Sequence, residues 1–193
     1  MASESSVASE LLYDLKLCID ESRDNDVHLP SYIVIWIHLK KVLDAMGSVF
    51  KFVSSDVDDK IIILQKIEKV QNFITIEKMM TEEKAAGKIN YERLDEKNPS
   101  ASRTLLRLHR AFKMISTLLG KISRNEHDGK MSTIAYESYN SSPMPAHHPW
   151  VIRKSIGVAV YTLPDSQSFC KKIAPELAGE ELPENFEGDR RSP

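Results

Sequence analysis

Three arginines, Arg103, Arg107 and Arg110, recur at i, i+4 and i+7 in the stretch SASRTLLRLHRAFKMISTLLGKISRN, with His109 and Lys113 beside them and no Asp or Glu among them. Helix surfaces ordinarily interleave signs, because Glu and Lys four residues apart stabilise one another by about 0.2–0.5 kcal/mol a pair. Two readings of an acid-free stripe are open. It is a solvated basic face, or it is a site in which guanidinium groups from successive turns converge on one anion, their planar donor forks matching the oxygens of a phosphate.

A second polar pair stands where apolar residues are expected. In FKFVSSDVDDKI the count of three and four that runs from Trp36 through Leu39, Leu43, Met46, Phe50 and Val53 reaches Asp56 and then Lys60. A carboxylate and an ammonium i,i+4 apart on or beside a core face either pair internally, which says little about function because desolvation roughly cancels the attraction, or await a ligand. His147 and His148 are adjacent and cannot converge on one metal from ordinary helical geometry, so a surface turn accounts for them unless another partner is found. No glycine-rich phosphate loop, HExxH or CxxC pattern is present, and no activated nucleophile can be assembled from spacing alone. The expectation is a binding protein, not an enzyme, that needs neither cofactor nor metal.

The elements that must position these groups read as helices. Apolar residues recur at three and four throughout, whereas sustained alternation and Asn-Gly hairpin turns are absent. We expect a first helix over about residues 6–22 and a second starting at Pro30-Ser31, since proline suits a first turn. That segment is read as the start of one long periodic face extending to Leu64 and Ile67. A third helical region follows over 74–84, weakened at Gly87. The arginine helix begins after Pro99, capped by Ser100 or Ser102, with Leu105, Leu108, Phe112, Ile115, Leu119 and Ile122 as its core stripe. A loop over 125–129, a short helix over 132–139, an apolar helix from Trp150 stopped by Pro164, and a last short helix over 165–173 complete the chain.

A length of 193 residues suffices for one domain that buries about 70% of its unfolded surface. The net charge of −2 makes the basic stripe local and argues against a nucleic-acid binder. Two distant cysteines, Cys18 and Cys170, fit a reduced compartment. The N-terminus lacks a basic region followed by an apolar one, and no apolar run is long enough to span a bilayer, so a cytosolic monomer is expected.

FKFVSSDVDDKI, SRTLLRLHRAF and HHPWVIRKSIGVAVYTLP, in that order, resemble the three signature segments of the glycolipid transfer protein superfamily, and within it the branch that transfers ceramide 1-phosphate. The resemblance covers about residues 11–173. It implies an all-α, two-layer sandwich of helices that holds one sphingolipid, chains in a hydrophobic pocket and headgroup in a surface cleft. Carried onto this sequence, it makes Asp56 the acceptor for the ceramide amide N–H and hydroxyl, and His148 the donor to the acyl carbonyl. Lys60, Arg103 and Arg107 would grip the phosphate with Arg110 assisting. In glycolipid-specific members a tryptophan stacks on the sugar at the position matched here by Arg107. A sugar has apolar C–H faces, whereas a phosphomonoester carries about −1.5 to −2 charges and suits bidentate cations. Trp150 matches a tryptophan that docks the family at the bilayer interface, where indole is at home.

Pocket candidates beside these motifs are Phe50, Val53, Leu118, Val151, Ile152, Val158 and Val160, with Gly157 and Ala159 keeping their helix slim. Ordinary core packing explains them equally well. We place the lipid-binding domain over residues 8–175 and expect a polar, disordered tail over 176–193. Family members continue with a further long helix beyond the segment matching SFCKKI, so a sandwich lacking its last helix is expected. The functional expectation is non-vesicular transfer of ceramide 1-phosphate, with transient contact to membrane surfaces. The rivals are a sensor or adaptor that binds the same lipid without transferring it, and a helical protein-interaction module whose basic stripe meets an acidic partner.

Overall fold

The computed structural model describes residues 5–89 and 99–177, and every regular element among them is helical. Two isolated bridges, Arg23 with Asp26 and His28 with Thr75, are the β-type pairings in these residues. The chain divides into two compact units, split within one helix between Phe112 and Lys113.

In the first unit, α1 (Val7–Glu21) opens at Ser6, whose hydroxyl oxygen accepts the Ser9 N–H at 3.2 Å. Leu11, Asp14 and Cys18 form its buried face. α2 (Leu29–Ala45) has proline in its first turn, as its sequence implies, and buries residues nearly all round, including Leu29, Ile33, Trp36, Leu39, Val42 and Leu43. It is the central helix of the unit, because α1 and α3 (Lys51–Gln71) both pack against it. Polar contacts reinforce both seams. His38 of α2 lies against the carboxylates of Asp14 and, at 3.1 Å, Glu10 on α1. Across the other seam Lys40 meets Asp58 at 3.3 Å, and the Ser54 hydroxyl donates to Asp44 at 2.5 Å.

The long periodic face expected from Trp36 to Ile67 is broken at Gly47, which adopts a φ of +108° and leads into a 3-10 turn, Ser48–Phe50. Chain reversal lets α2 and α3 pack side by side while Met46 and Phe50 stay buried on either side of the break. Asn72 in the left-handed region ends α3. The Leu29 N–H then donates to the Ile74 carbonyl at 2.9 Å and that of Ile76 to Val27 at 3.0 Å, which ties the start of α2 to the start of α4 (Ile76–Ala85).

α5 (Ala101–Ser123) begins on Ser100, whose oxygen accepts the Arg103 N–H at 3.2 Å. A second acceptor comes from α4. The carboxylate of Glu83 accepts the N–H groups of Ala101 and Ser102 at 2.7 and 2.8 Å and the Ser100 hydroxyl at 2.8 Å.

In the second unit the core face of α5 continues through Ile115, Leu118 and Ile122. The turn after it places Asn125, His127, Asp128 and Gly129 at positive φ. A Cβ at Gly129, where φ is +70°, would push the Ser166 hydroxyl aside, so a side chain there is strained. α6 (Met131–Ser141), α7 (Trp150–Ala159) and α8 (Ser166–Ile173) follow, the last capped by Asp165, which accepts the Ser168 N–H at 2.8 Å. Phe169 and Ile173 anchor α8. Residues 175–177 form one 3-10 turn. The remainder of the expected tail, and the region where a closing helix was expected to be lacking, lie outside the described residues.

Candidate functional site

On α3 the buried row is Val57, Lys60, Ile61 and Leu64, with Val53 half-buried. Lys60 is 9% exposed, and its stem occupies a core position while its ammonium reaches outward, a snorkelling arrangement. The Nζ atom sits against the Asp56 carboxylate and donates to the Asp56 backbone carbonyl at 3.2 Å. The Asp56 side chain is 67% exposed. The pair is therefore neither an internal salt bridge nor a surface one: one member is rooted in the core and the other faces solvent, with acceptor capacity to spare on its carboxylate.

On α5 Arg107 is exposed and Arg103 and Arg110 are half-buried, as is Met114 on the same side; His109 and Lys113 are exposed. Among the described residues no acid lies within ion-pair distance of Arg107 or Arg110. The His109 and Phe112 rings stack at 6.4 Å, and Phe112 meets Trp36 edge-on at 6.4 Å, which anchors the helix against α2. All five polar candidates of this unit thus sit on two helices that their own apolar rows hold in place. Among the described residues no hydrogen bond or ion pair links the Asp56–Lys60 pair to the arginines.

In the second unit His148 precedes α7 and is held by a residue that sequence reasoning did not single out. The Tyr139 hydroxyl lies 3.0 Å from His148 Nδ1, and the two rings stack at 5.8 Å. Burial pushes the Tyr139 phenol above its ordinary pKa, against a smaller opposing pull from Arg153, so the hydroxyl keeps its proton. When that proton is donated to Nδ1, the imidazole N–H is left on Nε2, the tautomer a hydrogen-bond donor requires. A tyrosine nine residues before a histidine carries no periodic signal, and this contact was not readable from spacing.

The apolar candidates divide. Phe50, Leu118 and Val160 are buried. Val151, Ile152 and Val158, expected as pocket residues, are exposed, and α7 buries none of its residues, so these three stand outside the packed core. The reason is local. The inward side of α7 consists of half-buried Ile156, Gly157 and Ala159, and the Gly157 backbone approaches the Tyr136 ring of α6 closely enough that an added Cβ would lie 3.7 Å from it. The slim face packs, and the large apolar side chains fall on the other side. Trp150 is 64% exposed, with the Lys154 ammonium 5.8 Å from its ring centre.

Two further features lie apart from these candidates. Glu126, His127 and Glu137 cluster at metal-ligand spacing, but Lys121 already bridges both carboxylates at 2.6 and 3.0 Å. A concavity of about 680 Å³ lies beside α4, lined by Val27, Ile76, Met80 and Ile89 with Asp26, Glu77 and Lys84. It contains none of the candidate residues. No helix among the described residues is long and apolar enough to cross a membrane.

The chain matches the family model described as Glycolipid transfer protein (GLTP) over residues 27–175. It is 31% identical to the ceramide-1-phosphate transfer protein of Homo sapiens over 183 residues, covering 90% of this chain and 84% of that protein. To the protein of the same name from Danio rerio it is 35% identical over 151 residues, 77% of this chain and 71% of the relative. The crystal structure of human ceramide-1-phosphate transfer protein in complex with 12:0 ceramide-1-phosphate is similar over 90% of this chain and 86% of that one, with a TM-score of 0.77 at 31% identity. An all-helical chain that carries the three signature segments in order, matches the family model over most of its length and shares the fold of a solved relative belongs to the glycolipid transfer protein family.

Proposed function

We propose that this protein transfers ceramide 1-phosphate between membranes without covalent chemistry. The observation that carries the reading is the acid-free face of α5, where Arg107 and Arg110 have no acidic partner among the described residues. Relatives aligned over most of the chain are named ceramide-1-phosphate transfer proteins, and one structural relative was solved with that lipid.

In this reading Arg103, Arg107 and Lys60 hold the phosphate and Arg110 assists, through charge-assisted bonds whose forked geometry suits three terminal oxygens. Asp56 accepts the amide N–H and hydroxyl of the ceramide with the acceptor sites that Lys60 leaves open. Lys60 neutralises Asp56 next to the anion. His148, presenting Nε2–H, donates to the acyl carbonyl. Phe50, Val53, Leu118 and Val160 belong to the apolar interior that shelters the chains. Shielding matters because each exposed CH₂ costs about 0.8 kcal/mol in water, which makes departure of a bare lipid from a bilayer slow. Trp150, Val151 and Val158, flanked by Arg153 and Lys154, dock the protein peripherally at an anionic bilayer surface from the cytosol.

The test is transfer of a fluorescent ceramide 1-phosphate between vesicles, with a fluorescent glycosylceramide in parallel. Transfer of the phosphorylated lipid alone is expected. Transfer of the glycosylated lipid instead would remove the arginine-for-tryptophan argument, and binding without transfer would turn the protein into a sensor.

A further inference from the structure

Glu83 near the end of α4 is 3% exposed and makes no described bond to any side chain assigned to the ligand. Its carboxylate is spent on the neighbouring helix. Oε1 accepts the Ala101 N–H at 2.7 Å, and Oε2 accepts the Ser102 N–H and the Ser100 hydroxyl, each at 2.8 Å. The Ser100 oxygen in turn accepts the Arg103 N–H at 3.2 Å. The first backbone bond of the helix, from the Thr104 N–H to the Ser100 carbonyl at 3.1 Å, comes only after these. The orphan amides of the first turn are thus satisfied by side-chain oxygens, and the principal one belongs to another helix.

This arrangement has two physical effects. A slip of one residue in the start of α5 would turn every later side chain by about 100° and strand a buried carboxylate, so the clamp sets the rotation of the helix. The helix N-terminus, by geometry a ready anion site, is also already occupied. An anion approaching α5 meets its side chains alone.

We infer that Glu83 is a positioning residue for headgroup recognition: by clamping the first turn of α5 it sets the rotation at which Arg103 and Arg107 face the phosphate, and it leaves headgroup selection to the guanidinium groups. The inference rests on the cleft reading given under Proposed function. Burial pushes the Glu83 carboxyl up, but the donors of Ser102, Ala101 and Ser100 together outweigh it and hold the group below its ordinary value. The clamp is therefore charged at neutral pH, and its bonds are of the stronger, charge-assisted kind.

The experiment compares the parent chain with Glu83→Gln, Ser100→Ala and Arg107→Leu. Equilibrium binding of fluorescent ceramide 1-phosphate is measured beside binding of the same ceramide without its phosphate, and circular dichroism checks that each variant is folded. Glu83→Gln keeps the shape but places an amide NH₂ among donors. It is expected to weaken the phosphorylated ligand about tenfold while the unphosphorylated ceramide changes less than about twofold, so the selectivity ratio falls. Ser100→Ala removes one donor to Glu83 and the acceptor for the Arg103 N–H, and is expected to lower the ratio about threefold. A merely structural role would weaken both ligands equally. Equal losses, or an unchanged ratio in both clamp variants while Arg107→Leu loses selectivity, overturn the positioning role alone. A parent-like ratio in Arg107→Leu overturns the cleft reading and this inference with it. Should Glu83→Gln not fold, the ratio in Ser100→Ala decides: a fall supports the inference and an unchanged ratio overturns it.

Discussion

Arg107 is exposed and without an acidic partner in the described structure, so its removal leaves no buried group unsatisfied and the melting transition of Arg107→Leu should stay close to that of the parent. In the proposed cleft it makes charge-assisted bonds worth about 1.5–3 kcal/mol. The variant should therefore bind ceramide 1-phosphate roughly 10- to 100-fold more weakly while unphosphorylated ceramide binds as before, measured by fluorescence titration with both lipids. Asp56 behaves differently because two groups depend on it. In the proposed cleft Asp56→Val removes the acceptor for the ceramide amide, and it also leaves the rooted Lys60 ammonium without its carboxylate. It should weaken every ceramide-based ligand, phosphorylated or not, by about tenfold; unchanged titrations would take the amide role away from Asp56. Both residues were legible from spacing. What spacing did not reveal is which of the Asp56–Lys60 pair is buried, since that depends on how far α3 is rotated against α2. Tyr139, whose hydroxyl lies against His148 Nδ1, was unreadable for the same reason: the contact is made in space.

At the scale of elements, the helices were legible because their apolar rows are regular, and Ser6, Thr75, Ser100 and Asp165 stand where N-caps belong. The break at Gly47 was not, since the count of three and four runs straight through it and only the left-handed backbone betrays the reversal. Glu83 was hidden too: it caps a helix that begins 18 residues later, and no local pattern announces such a cap. Its depressed carboxyl has a consequence for stability. A group whose folded pKa lies below its unfolded value stabilises the fold fully above the ordinary glutamate range, about pH 4.3, and the contribution is lost as pH falls through the lower folded value. Urea unfolding of the parent and Glu83→Gln should differ most at neutral pH and converge as the solution is acidified below about pH 4. A gap independent of pH would mean the carboxylate charge is immaterial. On the α1–α2 seam, Asp14 is buried beside His38. His38→Ala removes the ring that faces this carboxylate and should cost about 1–3 kcal/mol, read from the same unfolding curves.

For the molecule as a whole, family membership follows from ordered motifs, but the division of apolar residues between interior and surface does not. Val151, Ile152 and Val158 are read from sequence as pocket candidates, yet all three are exposed, as are Trp150 and Tyr161 on the same run. Hydrophobicity marks surfaces that avoid water without saying whether protein or bilayer covers them. In the peripheral-docking reading, Trp150→Ala should lower association with anionic vesicles roughly tenfold in a flotation assay while leaving the melting temperature unchanged. Vesicle association equal to the parent would move the docking surface elsewhere.

Cys18 sits on the buried face of α1, 6% exposed, with its sulfur 4.0 Å from the His28 carbonyl, and burial pushes its thiol above the usual range. A thiol in that position reacts with an alkylating reagent only during the moments when its helix lifts away, so its labelling rate is a clock for local opening of α1. Cys170, half-buried on α8, provides a second, independent clock in the other unit. The molecule thus carries two native reporters, one in each unit, and their relative labelling rates with and without lipid would tell which part of the protein opens to let a chain in.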